Sequence, residues 1–319
     1  MALRKKHNPF LKSNNDTGFS GNTGNYGGRF VNKDGSFNVR KEGSPFWERF
    51  SMFHTMLTLP TWKFLCIIVI AFIIINLIFT VIFWSIGVSE FAGMITETSE
   101  HILMEMFFFS TETFSTVGYG RVNPVGGMAN FFAAADALAG SLFFALVTGL
   151  LYGRFSKPKA YIEFTKHALI SPYKDITGLM FRFVSVKDNH TLTDIEVKVS
   201  LSILEEENGK NGYKFYSLPL ERTRVESLPM NFTVVHPIDN ESPIQGLTLE
   251  DMRNADFEIY VSVKAYDDGY SSNVLQRTSY THDEIMFNAK FVQMYRESED
   301  GNTTIIELNK LNKYNILDA

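Results

Sequence analysis

An uncharged run of 21 residues, 64–84, limits most strongly what this chain can fold into. As an α-helix with a rise of about 1.5 Å per residue, the run reaches about 30 Å, the thickness of the hydrocarbon core of a bilayer. Trp62 and Trp84 stand at its ends, where the two membrane interfaces would lie. A second apolar run, 130–152, contains a single charged residue, Asp136. The two runs predict two transmembrane helices within a pore domain of residues 61–153.

Charges are distributed unequally around the two runs. The segment between them, 85–129, has a single lysine or arginine, Arg121, whereas both outer flanks are basic. Because basic residues are retained on the cytosolic side, this asymmetry predicts a multi-pass protein of the cell (inner) membrane with both termini in the cytoplasm. The segment 85–129 is then extracellular. Its acids are Glu90, Glu97, Glu100, Glu105 and Glu112.

The pentapeptide Thr-Val-Gly-Tyr-Gly at 116–120 lies in this extracellular segment. Its two glycines allow φ and ψ values that other residues avoid, so successive carbonyls can point to one side. Such a stack of oxygens can replace the hydration shell of K⁺, and four chains around one axis complete each ring. An ordinary Gly-Tyr-Gly turn is the alternative, but the position between two spans favours a selectivity filter. We expect a homotetramer whose filter is Thr116, Val117, Gly118, Tyr119 and Gly120, with K⁺ bound at the first four.

Residues 102–114, directly before the pentapeptide, are largely apolar but too few to span a bilayer. They are predicted to form a re-entrant pore helix, which is tolerated at membrane depth only where protein buries it. Because this helix leads straight into Thr116, the negative end of its dipole would point at the ion path.

The second apolar run holds the one intramembrane charge, Asp136. A carboxylate facing lipid costs roughly 3 kcal/mol. Neither run contains a lysine or arginine to pair with it, so we expect Asp136 to face a wet interior. Four copies would form an acidic ring below the filter that attracts cations. Gly140 and Gly149 follow on the same helix, either as bending points or as small residues for close packing.

Residues 1–44 are predicted to be a cytosolic N-terminal segment. Residues 1–29 are rich in Asn, Gly and Ser and are expected to be mobile, whereas an Asp34-Gly35 turn within 30–41 predicts a short strand pair or the addition of a strand to a sheet. Residues 45–60 are predicted to form one amphipathic slide helix in the membrane interface, because aromatic and aliphatic residues recur at helical spacing. Its start is indicated by Ser44-Pro45 and its end by Pro60.

Residues 154–319 contain short β-rich runs separated by turn residues, and none after residue 160 could span a membrane. The run 194–203 alternates polar and apolar residues, which is typical of a half-buried strand. Repeated strands of this kind predict a cytosolic β-sandwich. The predicted strands are 178–186, 194–203, 230–236 and 257–265.

Composition excludes several function classes. A net charge of −5 gives no reason to expect nucleic-acid binding, and the single cysteine, Cys66, excludes an intrachain disulfide. No nucleophile motif, phosphate loop or Cys/His metal spacing indicates an enzyme or a cofactor. His282-Asp283-Glu284 would alternate faces on a predicted strand and would not converge on a metal ion.

Several blocks together resemble the inward-rectifier potassium channel family, most closely its prokaryotic members. Besides TVGYG they are FVNKDGSFNVRK at 30–41, RFSKPKAYIEFTKHALISP at 154–172, VVHPIDNESPIQG at 234–246, NADFEI at 254–259 and YTHDEI at 280–285. The resemblance implies a homotetramer with two spans per chain and an immunoglobulin-like cytosolic domain that extends the pore. It also implies passive K⁺ conduction, gated by lipid or by rearrangement of the cytosolic domain.

The resemblance assigns roles to individual positions. Asp136 matches the second-span acid that controls block by Mg²⁺ and polyamines, and Asp194 matches an acid lining the cytosolic pore. Tyr152 matches a bulky residue at the cytosolic gate, with Gly140 as a candidate bending point. Juxtamembrane bases match those that bind headgroups of anionic lipids, although they could serve only to fix topology. These bases are Lys63, Arg154, Lys157 and Lys159.

Three departures from the family pattern affect these expectations. Ala160 and Tyr161 stand where animal members have bases, which puts a phosphoinositide site in doubt, and Lys264 stands at a position that is acidic in strong rectifiers. Arg121 follows the filter one place earlier than the family's arginine. It is nevertheless a candidate partner for Glu112 in supporting the filter.

Two other functions are compatible with spans and a β-domain. A K⁺ carrier built from repeated two-span units would need four units in one chain, whereas this chain has one. A membrane-anchored receptor would need neither Asp136 nor a pore helix ending in five filter residues. Both are therefore less favoured than a channel without a voltage sensor.

Overall fold

The computed structural model describes residues 28–95, 98–188, 191–207 and 210–317. The predicted mobile segment 1–29 therefore lies almost entirely outside the described residues. The chain divides into two compact units. Glu42–Lys157 is the membrane unit, and Met1–Lys41 with Pro158–Ala319 is the β unit.

The membrane unit is built from helices, two of which are long and apolar enough to cross a membrane. The predicted spans 64–84 and 130–152 lie inside these two helices, α3 and α5, each of which extends further at both ends. The helices are α1 (Phe46–Arg49), α2 (Met52–Thr58), α3 (Thr61–Ile86), α4 (Ser99–Phe114) and α5 (Gly127–Phe155).

The predicted single helix over 45–60 is wrong, because the chain leaves the helical conformation between α1 and α2. Ser51 has an extended backbone, with φ −105° and ψ 108°, and its side chain accepts a hydrogen bond from the N–H of His54. A serine that caps the next turn in this way competes with continuation of the helix before it. Pro60 is the N-cap of α3, as expected of a residue that ends the preceding element.

Helix α4 matches the predicted pore helix at its C-terminal end, Phe114, but starts three residues earlier than 102. The earlier start is explained by Thr98, whose side chain accepts a hydrogen bond from the N–H of His101. Strand β1 (Phe91–Ala92), which follows a 3₁₀ turn at Val88–Glu90, pairs antiparallel with β2 (Asn123–Pro124). Helix α4 and the filter segment lie between these two strands in the sequence.

The β unit contains two five-stranded sheets. In the first the strand order is β11-β10-β6-β7, with β8 also paired to β6; in the second it is β12-β4-β5-β3, with β9 also paired to β5. The first sheet comprises β6 (Leu192–Glu207), β7 (Lys210–Ser217), β8 (Arg224–Ser227), β10 (Glu258–Asp267) and β11 (Ser272–Thr281). The second comprises β3 (Ile162–Phe164), β4 (Ala168–Tyr173), β5 (Ile176–Ser185), β9 (Phe232–Ile238) and β12 (Ile285–Phe287).

One hydrophobic core is shared by both sheets, which confirms the predicted β-sandwich. Along β6 the alternate residues 195, 197, 199, 201 and 203 are buried, as the alternating pattern predicts. A capped helix, α6 (Leu249–Asn254), precedes β10. The remaining strands form two small pairs, β13 (Ala289–Phe291) with β16 (Tyr314–Ile316), and β14 (Tyr295–Glu297) with β15 (Thr304–Ile306).

Residues 28–41, here called the N-terminal strap, pack on the first sheet. The predicted strand pair is present as a single antiparallel bridge between Val31 and Phe37, turned by Gly35 at φ 85°. Phe30 is buried among the aromatic rings of Tyr213, Phe215 and Tyr260. The strap is therefore an integral part of the β unit.

Candidate ion-conduction site

The backbone of the filter segment 116–120 alternates in handedness. Thr116, Gly118 and Gly120 have φ values of 60°, 54° and 82°, whereas Val117 and Tyr119 lie outside the positive-φ region. An alternation of this kind lets successive peptide groups turn the same edge to one side, which a stack of carbonyl oxygens requires. A positive φ in Thr116, a β-branched residue, is a strained conformation that its surroundings must maintain.

The last carbonyls of helix α4, the predicted pore helix, hold the start of the filter segment. The carbonyl of Glu112 accepts the N–H groups of Val117 at 3.0 Å and Gly118 at 3.2 Å. At the outer end, the amide Nδ2 of Asn123 donates to the carbonyl of Gly120 at 2.7 Å. Within the described part of the chain, the carbonyls of residues 116–119 accept no hydrogen bond, so these four oxygens are available to an ion.

Arg121 is paired with Glu105, so the predicted pairing with Glu112 is wrong. Its guanidinium lies 2.6 Å from the Glu105 carboxylate and donates to the carbonyl of Gly93 at 3.2 Å. Gly93 approaches the Arg121 backbone so closely that a Cβ there would lie 1.9 Å from the Arg121 carbonyl oxygen. Glu105 is seven residues, about two helical turns, before Glu112 on α4, and sequence spacing could not decide between them.

Asp136 does not face an open interior. It is 0% exposed, on the side of α5 that packs toward Ser110 of the pore helix. A side chain that lines a pore between subunits must be exposed in the isolated chain, because assembly can only cover surface. In this conformation Asp136 is therefore not a pore-lining acid, and its predicted role as the principal site of cation block is wrong.

Gly140 packs closely against the pore helix. A Cβ at this position would lie 1.8 Å from the carbonyl oxygen of Phe114, whereas a Cβ at Gly149 would meet nothing within 4 Å. Of the two interpretations left open by the sequence, close packing is the one that this contact supports. Tyr152, further along α5, is 74% exposed. Its role as a gate stays a prediction.

The juxtamembrane bases have different surroundings. Arg154 donates to the carbonyls of Met56 at 2.7 Å and Leu59 at 2.8 Å, which ties α5 to the end of α2. Much of its hydrogen-bonding capacity is thus used within the protein, a contact that the sequence did not indicate. The other three, Lys63, Lys157 and Lys159, are exposed.

Two acidic positions of the β unit, Asp194 and Glu284, have different surroundings. Asp194 is exposed and has φ 45°, at a bulge in the pairing of β6 with β10. His282–Glu284 is a 3₁₀ turn, so its predicted strand conformation is wrong. Among the described residues, no group of side chains could hold a metal ion. Glu284 instead binds Arg29 at 2.7 Å and Lys33 at 3.1 Å.

Comparisons with known proteins agree with this geometry. Residues 31–158 match the family description "Inward rectifier potassium channel transmembrane domain", and residues 162–318 match "Inward rectifier potassium channel C-terminal domain". The chain is 31% identical over 278 residues to the inward rectifier potassium channel Kirbac3.1 of Paramagnetospirillum magnetotacticum, covering 86% of this chain and 91% of that channel. It is 26% identical to the ATP-sensitive inward rectifier potassium channel 12 of Bos taurus, covering 85% and 68%.

Among solved structures, Spo0M of Bacillus subtilis overlaps 41% of this chain and 50% of its own chain, at a TM-score of 0.24 and 12% identity, so the two folds differ over most of their length. The class defined by the fold, the filter segment and the sequence matches is a transmembrane potassium channel, not an enzyme. Within that class, the chain belongs to the inward rectifier potassium channel family, and its similarity is greatest to a prokaryotic member among the relatives compared.

Proposed function

We propose that four copies of this chain form a K⁺-selective channel in which the carbonyls of residues 116–119 bind dehydrated K⁺. The observation that carries the proposal is the alternating handedness of 116–120, held by the Glu112 carbonyl, with four carbonyl oxygens that receive no hydrogen bond from the described residues. One chain supplies one edge of each ring, so conduction requires a homotetramer. Tyr119 is 79% exposed in the single chain, which supports a neighbouring subunit packing against it.

Conduction is proposed to be passive, with the extracellular side of the protein formed by the β1–β2 ladder and both termini in the cytoplasm of the inner membrane. Gating is assigned to Tyr152 and to rearrangement of the cytosolic β unit, under the influence of anionic lipid. The exposed bases Lys63, Lys157 and Lys159 are the proposed headgroup contacts. Block by internal Mg²⁺ or polyamines is assigned to Asp194, which is exposed, and no longer to Asp136.

The test is uptake of radioactive Rb⁺ into proteoliposomes of defined lipid composition. We expect uptake that Ba²⁺ inhibits and that does not depend on a Na⁺ or H⁺ gradient. Coupling to such a gradient would indicate a carrier instead. Absence of flux across neutral, anionic and phosphoinositide-containing vesicles would contradict the channel proposal and leave a receptor role.

A further inference from the structure

A buried polar chain lies between the three long helices of the membrane unit. Asn76 of α3, Ser110 of α4 and Asp136 of α5 are each 0% exposed. The Ser110 hydroxyl donates to Oδ1 of Asn76 at 3.0 Å, and Nδ2 of Asn76 donates to the carbonyl of Phe72 at 2.8 Å. Asp136 faces Ser110, but neither of its carboxyl oxygens has a hydrogen-bond donor within the described residues. Of these three side chains, only that of Asp136 has no hydrogen-bond partner among the described residues.

The charges around Asp136 do not support an ionised carboxylate. A carboxylate buried without donors or a counter-ion costs several kcal/mol. On α3 the base is Lys63, about 20 Å along the helix from Asn76; on α5 it is Arg154, about 27 Å from Asp136. Helix α4 contributes no lysine or arginine near Ser110. Its titratable groups are Glu100, His101, Glu105 and Glu112.

An uncharged carboxylic acid supplies the hydrogen-bond donor that Asp136 lacks as a carboxylate. It has one O–H donor, and the Ser110 oxygen, having given its own hydrogen to Asn76, still has lone pairs to accept it. Hydrogen bonds then run from Asp136 to Ser110, from Ser110 to Asn76 and from Asn76 to the Phe72 carbonyl, so Ser110 and Asn76 each accept one and donate one. Chains of this kind rigidify a buried region when they are fully satisfied.

We propose that Asp136 is a positioning residue of the selectivity filter: as a neutral acid it completes the chain with Ser110 and Asn76 and fixes the pore helix between the two spans. The proposal rests on the channel function proposed above, and it gives Asp136 a role that needs no access to the pore. In this proposal Asp136 acts by donating a hydrogen bond, whereas the sequence suggested that it acts through its negative charge.

The connection from this chain to the filter runs through the next turn of each helix. Phe114, four residues after Ser110, packs its ring 5.5 Å from that of Phe72 and 5.4 Å from that of Phe143. Gly140, four residues after Asp136, lies against the Phe114 carbonyl. Thr116, the first filter residue, is two residues after Phe114. A displacement of Ser110 therefore displaces the first filter carbonyl.

The experiment compares Asp136→Asn, Asp136→Leu and Ser110→Ala in the full-length channel, with Ser141→Ala as the matched control. Ser141 lies on α5, is exposed, and its hydroxyl binds only the Ala137 carbonyl. Asparagine keeps an N–H donor toward Ser110, so we expect its K⁺-over-Na⁺ flux ratio to stay near wild type. Leucine and Ser110→Ala should lower the ratio roughly tenfold, as expected for loss of one buried hydrogen bond. Infrared difference spectra should show a protonated-acid carbonyl band in wild type that is missing in Asp136→Asn.

Two results would overturn the proposal. One is an Asp136→Asn channel as impaired as Asp136→Leu, which would mean that the negative charge is required. The other is an infrared spectrum without a protonated-acid band assignable to Asp136. Because the infrared readout needs no flux, failure of the channel proposal can be told apart from failure of this one.

Discussion

Asp136 in the membrane unit and Glu258 in the β unit are both buried acids, yet their surroundings differ. Glu258, 3% exposed, accepts the N–H groups of Phe30 at 2.8 Å and Val31 at 3.2 Å, so it anchors the N-terminal strap. Asp136 receives no hydrogen bond among the described residues. An acid can thus be buried either by surrounding it with donors or by keeping its proton.

The same contrast extends to the two units. The β unit closes a core of its own between two sheets, and the buried Glu258 holds the strap on the first sheet. In the membrane unit, only 11% of the most apolar stretch of α3 and of α5 is buried, and Gly140 packs closely against the carbonyl of Phe114. The β unit therefore encloses its own core, whereas most of the apolar surface of the two long helices of the membrane unit is exposed in the single chain.

The largest effect is expected from Gly140→Ala. The added Cβ would lie 1.8 Å from the Phe114 carbonyl oxygen, so the helices must separate, at a cost of about 3 kcal/mol or more. The measurement is the fraction of tetramer recovered in detergent together with Rb⁺ flux, both of which should collapse. Gly149→Ala is the control and should leave both unchanged or slightly improved, because its Cβ meets nothing. Equal tolerance of both substitutions would contradict the packing account.

A smaller effect is expected from Glu258→Ala, which tests the hydrogen-bonded side of the comparison. Two buried N–H groups would lose their acceptor, at a cost of about 2 kcal/mol to docking of the strap. Hydrogen exchange at Phe30 and Val31 should accelerate accordingly, whereas the exposed acid Glu226, replaced by alanine, should change nothing. Unchanged protection at both amides would show that the aromatic contacts of Phe30 are enough to hold the strap without Glu258.

Exchange of Arg121 and Glu105 tests the ion pair that these two residues form in the membrane unit, outside the spans. Arg121 is half exposed, so the pair is worth about 1 kcal/mol or less. Arg121→Glu and Glu105→Arg should each lower K⁺ selectivity, and the double exchange should restore part of it. Glu100→Gln, on the same helix, serves as the control. A double exchange no better than either single change would count against the pairing.

The smallest effect concerns Lys33 in the strap. Burial lowers the pKa of Lys33 to about 8 from 10.5, although Glu284 acts to raise it. The docked strap therefore binds fewer protons than the free strap between these values, so docking should strengthen as pH rises from about 8 to 10.5. Protection of the strap amides against hydrogen exchange, corrected for the intrinsic exchange rate, should increase over this pH interval in wild type and stay constant in Lys33→Met. Identical pH dependence in both would assign the change to another group.

Patterns that depend on neighbours in the sequence predicted much of this molecule. Periodicity and length are properties of the local sequence. They were enough to predict both spans, the end of the pore helix at Phe114 and the alternating burial along β6. The interruption at Ser51 could not be predicted, because a helix cap and helix continuation differ by about 1 kcal/mol. The partner of Arg121 was predicted wrongly, because Glu105 and Glu112 lie on similar faces of α4. The surroundings of Asp136 were also predicted wrongly, because the sequence gives its charge but not that it packs toward Ser110.

The central claim is that the carbonyls of residues 116–119 bind K⁺ on a fourfold axis. The most direct measurement is a structure of the lipid-reconstituted protein with Rb⁺ or Tl⁺ in place of K⁺, in which the heavier ion is located by anomalous scattering. The account predicts ions on the axis between rings of these carbonyls, and none at Asp136. Ions coordinated elsewhere, or an assembly that does not bring four copies of the segment together, would contradict it.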